Sequence, residues 1–76
     1  MQRSGTRYLM WYDDNPKIPL LDKVEDAIYA YTRRFKRAPN VVLVNEADVT
    51  EHQQVAVRGT PLVQRNNFWV GFELEV

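Results

Sequence analysis

One stretch of this chain repeats its apolar residues at helical spacing. Leu20, Leu21, Val24, Ala27, Ile28, Tyr31 and Phe35 fall on a single stripe. The other apolar runs are strand-like. One helix covers only one face of a sheet, so the second face has nothing in 76 residues to pack against it. That count of faces constrains both the architecture and the function.

The helix is predicted from about Pro19 to Arg37. Pro19 suits a first helical position, where its missing N–H would be unpaired anyway. Asp22, Glu25 and Asp26 lie in the early turns, and Arg33, Arg34, Lys36 and Arg37 in the last ones. That order complements the helix dipole. Pro39 biases Ala38 away from helical geometry and stops the element.

Around the helix the spacing predicts strands. Residues 7–12 (Arg-Tyr-Leu-Met-Trp-Tyr) are aromatic and apolar on both faces and end at the turn residues Asp13-Asp14-Asn15-Pro16. Val41–Val44 is a continuous apolar run of the buried, central kind. Asn45 is placed to cap a helical turn through Asp48. Residues 54–58 alternate, Leu62-Val63-Gln64 suit a short strand, and Asn66-Asn67 suit a tight hairpin. Residues 68–74 alternate with Phe68, Val70, Phe72 and Leu74 on one face. The predicted fold is a single α+β domain, 1–76, with residues 1–6 as a loose end. Its order is β-α-β-β-β-β, a mixed sheet of about four to five strands with one helix on one face. The first two strands are expected to be parallel, joined by a right-handed crossover.

Composition narrows the functional classes. The chain has no cysteine, hence no disulfide framework and no thiolate metal site, which fits a reducing cytoplasm. Its N-terminal residues lack the apolar stretch of a signal peptide, and no apolar run approaches the roughly 20 residues a membrane-spanning helix needs. Ten basic residues balance ten acidic ones. A neutral chain has no overall attraction to nucleic acid or acidic membranes, and little repulsion from its own copies.

Three constellations carry the functional expectations. The first is an acidic edge, where the carboxyl ends of two parallel strands bring Asp13 and Asp14 near Glu46 and Asp48, with His52 following. Converging carboxylates and an imidazole suit a divalent cation, although the spacing matches no ligand motif. The second is the basic helix end, Arg33, Arg34, Lys36 and Arg37, which near exposed aromatics would track a nucleic-acid strand. Residues 65–72 faintly echo an RNA-recognition strand, but the chain has one helix where that fold needs two. The third is the aromatic load. If the helix takes the side of Phe68, Val70 and Phe72, then Trp69, with Trp11 and Leu9, is expected at an interface with a second copy or another protein. No serine, threonine or glycine pattern supplies a nucleophile or a phosphate loop, and no cofactor is implied.

The segments Ala38-Pro39-Asn40-Val41-Val42-Leu43-Val44-Asn45 and Asn67-Phe68-Trp69-Val70-Gly71 resemble short uncharacterised prokaryotic α+β proteins, in which a Pro-Asn-apolar strand follows a helix and a Phe-Trp-Val-Gly strand lies near the end. The resemblance implies packing and no activity. The function expected from the residues is a non-enzymatic, self-associating or protein-binding module.

Overall fold

The computed structural model describes residues 7–74. The elements run β1 (Tyr8–Tyr12), α1 (Leu20–Phe35), β2 (Val41–Val44), a 3₁₀ turn (Glu46–Asp48), β3 (Ala56–Gly59) and β4 (Asn67–Gly71). One helix and a four-stranded mixed sheet make this an α+β fold. The sheet order is β1-β4-β2-β3. The expected loose end at residues 1–6 lies outside the described residues.

β1 and β2 run in the same direction, as expected, but they are not neighbours. β4 lies between them, antiparallel to both. The burial of each strand explains the order. β2 and β4 carry fully buried β-branched and aromatic side chains and take the centre, while β3, short and exposed, takes an edge. The fifth strand expected at residues 62–64 is a turn. Its Val63 is buried, and its carbonyl accepts from Asn45 Nδ2 at 2.9 Å. Asn66 does take the left-handed conformation, with φ 67°, but it leads the chain into β4 and closes no hairpin. β4 ends at Gly71, short of the predicted residue 74, because residues 72–74 leave the ladder.

The core lies between α1 and one sheet face. Phe68 is fully buried, with Val24, Ala27 and Tyr31 of the helix and Val42, Val44 and Val70 of the central strands around it. Tyr31 and Phe35 extend that layer, their ring centroids 4.6 Å apart. Ile28 and Phe35, expected from the stripe to be buried, are half-buried at its margin. The side bearing Phe68, Val70 and Phe72 is thus the one the helix covers.

Both helix ends differ from the predicted ones. Pro19 is extended and precedes the helix, and its carbonyl accepts the first helical bond from Lys23 N at 3.1 Å. At the other end Lys36 turns left-handed, with φ 58° and ψ 33°, and its N–H closes on Thr32 O at 2.9 Å. The helix therefore stops before Pro39 acts. A left-handed L-residue costs about 1–2 kcal/mol. Glycine relieves that cost but loses about 0.5–1 kcal/mol more chain entropy on folding. Lys36→Gly should therefore stabilise the fold by roughly 0.5–1 kcal/mol, read as a higher urea midpoint at unchanged slope.

Candidate functional site

At the acidic edge Asp48, Asp13 and Asp14 are engaged by the protein's own groups. Asp48 is 5% exposed; its Oδ1 accepts from Arg65 Nε at 3.1 Å and its Oδ2 from Asn66 N at 2.9 Å. The Asn66 carbonyl in turn accepts Asp13 N at 3.0 Å, so both strand ends meet on one loop residue. Asp13 Oδ1 accepts from Asn15 N at 2.9 Å, the short-range turn bond that aspartate favours. Asp14 accepts the Tyr12 hydroxyl at 3.1 Å. That hydrogen bond, and the negative charge behind it, raise the Tyr12 hydroxyl above the usual phenol range. Glu46 is exposed, in a turn whose N-terminus Asn45 caps, its side chain accepting from Ala47 N at 2.9 Å. Among the described residues no three His, Asp or Glu side chains gather where a metal ion would sit.

His52 belongs to a different cluster. Its side chain is 5% exposed, and its Nε2 lies 2.6 Å from Glu25 Oε2 on α1. The Gln54 N–H donates to Nδ1 at 3.0 Å. With the Nδ1 lone pair taken by a donor, the ring proton sits on Nε2 and is given to Glu25. Both nitrogens thus have partners within the chain. A depression of about 780 Å³ beside the pair is lined by Leu21, Glu51, Gln53 and Gln54 as well. The contact clasps the β2–β3 connection to the helix.

The basic helix end is likewise engaged. Arg37 lies over the Phe72 ring at 3.9 Å, Arg33 over Tyr29 at 5.7 Å and Arg34 over Phe35 at 5.8 Å. Such contacts stabilise the folded chain. Lys36 is the helix C-cap. These groups lie on the helix side of the sheet, where Arg33 and Arg34 share a surface with the exposed Tyr29 and with Trp11, and not with the aromatic residues of the open face.

The sheet's other face is open. Cross-strand pairing puts directly opposed residues on one face: Met10 with Trp69 and Trp69 with Leu43, while Tyr8 faces Gly71. Met10 is 65% and Tyr12 61% exposed, and the Tyr8 and Trp69 rings lie 6.1 Å apart. The register corrects the expected grouping. Trp11 pairs with Phe68 and Leu9 with Val70, so Trp11 and Leu9 point toward the helix and do not share Trp69's face. Trp11 lines a shallow depression with Tyr29, Ala30, Arg33 and Arg34. Tyr8, Met10 and Tyr12 take the places beside Trp69 that the sequence reading gave to Trp11 and Leu9. Pairing Trp11 with Phe68 would have revealed this, but it requires knowing that β1 and β4 are neighbours.

Charges border this face at two places, Asp14 beside the Tyr12 hydroxyl and an ion pair beside Tyr8. Arg58 Nη2 lies 2.7 Å from Glu73 Oε1, and Tyr8 donates its hydroxyl to Glu73 Oε2 at 3.2 Å. Asn40 completes the cluster, its side chain bonding the Glu73 N–H and C=O, both at 2.8 Å. Comparison with known protein families, curated proteins and solved structures gives no match. No helix among the described residues is long and apolar enough to cross a membrane.

Assigning Asp48 to loop anchoring leads to a measurable expectation. Asp48→Ala leaves the half-buried Asn66 N–H without its acceptor and should cost about 1–2 kcal/mol in urea denaturation. Asp48→Asn keeps an acceptor and should cost clearly less. The Arg65 contribution is small, because that side chain is 61% exposed.

Proposed function

We propose that the protein is a non-enzymatic interaction module that associates with a second copy of itself through the open aromatic face of its sheet. The observation that carries this reading is the exposure of Met10 and Tyr12 beside Trp69 on a face the single helix does not reach. Contiguous apolar surface of this kind marks interaction sites in soluble proteins, and Trp, Tyr and Met are the side chains enriched there. The loop 60–66 does not serve as cover. It is tied to the end of β2, with Thr60 N donating to Val44 O at 2.8 Å, and Met10 and Tyr12 stay exposed.

A second copy fits better than a charged partner. Arg58 and Glu73 at the border of the open face neutralise each other, so an identical face packs over the apolar centre without stranding that pair. A two-fold contact is self-complementary, and a net charge of zero adds no long-range repulsion. Location in the cytoplasm, suggested by the absence of cysteine, suits this role and rests on composition alone.

Sedimentation equilibrium at micromolar concentration should give at least twice the 9.0 kDa chain mass. Trp69→Glu should lower the mass while leaving the far-UV circular dichroism intact, since it places a charge on the contact face and not in the core. A parent that sediments as a folded monomer, or a mass indifferent to Trp69→Glu, would overturn the reading.

A further inference from the structure

A second surface, separate from the open face, is the outer edge of β1. Among the described residues β1 pairs only with β4 and ends the sheet on that side. Edge strands normally carry a charge, a proline or a bulge that discourages another strand from pairing. The opposite edge obeys that rule: β3 is four residues long and contains Arg58 and Gly59. β1 does not. Its sequence is Tyr-Leu-Met-Trp-Tyr, regular and uncharged throughout.

The backbone phase of this edge is fixed by one bond. Asp13 N donates to Asn66 O at 3.0 Å, and the register continues from Tyr12 opposite Asn67 to Leu9 opposite Val70. Antiparallel strands alternate between residues that bond their neighbour and residues that do not. Leu9, Trp11 and Asp13 therefore turn their backbone groups toward β4, while Met10 and Tyr12 turn theirs outward.

We infer that the β1 edge pairs antiparallel with the β1 edge of a second copy, about a two-fold axis at Met10. This register is singled out by charge. It sets Arg7 opposite Asp13 of the second copy, twice by symmetry, and neither residue has an ion-pair partner among the described residues. It also sets Leu9 opposite Trp11 of the second copy, and it joins outward N–H and C=O groups of the two Met10 residues. The two sheets become one of eight strands, with both helices on one side and both open faces on the other. The occupant is a copy of this chain, because an unrelated strand would match the phase but not the Arg7–Asp13 reciprocity.

A strand contact this short buries less than the standard interface of about 1,600 Å², so it is best read by trapping. The chain has no cysteine, and Met10 is 65% exposed, so Met10→Cys supplies a single thiol without touching the core. Opposed residues in a hydrogen-bonded pair have Cα atoms about 5.5 Å apart, within disulfide reach, whereas sheets stacked face to face stand about 10 Å apart, beyond it. Oxidation with diamide should convert Met10→Cys to a reducible dimer much faster than it converts Asp26→Cys, an exposed helix position. Adding Trp69→Glu should leave the cross-link in place, which separates this contact from the face contact proposed above. Arg7→Asp should slow cross-linking about tenfold by opposing two carboxylates at both ends, and Asp13→Arg in the same chain should restore it. Equal rates for Met10→Cys and Asp26→Cys would overturn the inference. So would a rate that Arg7→Asp leaves unchanged.

Discussion

The insertion of β4 between β1 and β2 is the constraint on which the rest of the fold depends. Phe68 and Val70 of β4 supply the centre of the helix-side core, and Trp69 supplies the centre of the open face. Without β4, β1 has no strand to pair with and β2 loses one of its two neighbours. The crowding around Gly71 shows how closely the strand is held. A side chain there would bring its first carbon within 2.6 Å of the Tyr8 ring, which occupies the space above the glycine. An aromatic ring over a cross-strand glycine covers backbone that would otherwise be exposed.

Polar clusters at the two ends of the sheet hold the loops, and they engage Asp48 and Glu73. At one end Asp48 gathers Arg65 and Asn66, and through Asn66 reaches Asp13. At the other, Glu73 gathers Arg58, Tyr8 and Asn40. His52 joins helix to loop through Glu25. A carboxylate or imidazole whose lone pairs are filled by backbone and side-chain donors is poor at binding anything else.

The helix and the count of faces were legible in the sequence because they rest on local periodicity. The stripe from Leu20 to Phe35 needs no knowledge of distant residues. Strand order was not legible, since nothing near residues 7–12 says that residues 67–71 will lie beside them. The misplacement of Trp11 and Leu9 follows from that. Strand 7–12 is apolar on both faces, and in such a strand a shift of one residue exchanges the faces at no visible cost. The acidic edge was read from composition, but the donors that occupy it, Asn66 N and Arg65 Nε, become neighbours only in three dimensions. The pairing of His52 with Glu25 spans 27 residues and left no local signal. The Lys36 helix end was hidden too, because lysine is a rare choice where glycine is common.

The placement of β4 also sets the order of events as the chain is made. The β1–β4 ladder joins Tyr8 to Gly71, so β1 is synthesised well before the strand it pairs with and waits for β4 before it can be hydrogen-bonded to it. Contacts that distant slow folding, since the loop must close before any pairing energy returns. During that interval an uncharged Tyr-Leu-Met-Trp-Tyr segment stands exposed beside those of neighbouring nascent chains. On a polysome the chance of meeting a sister strand before its own partner is therefore built into the topology.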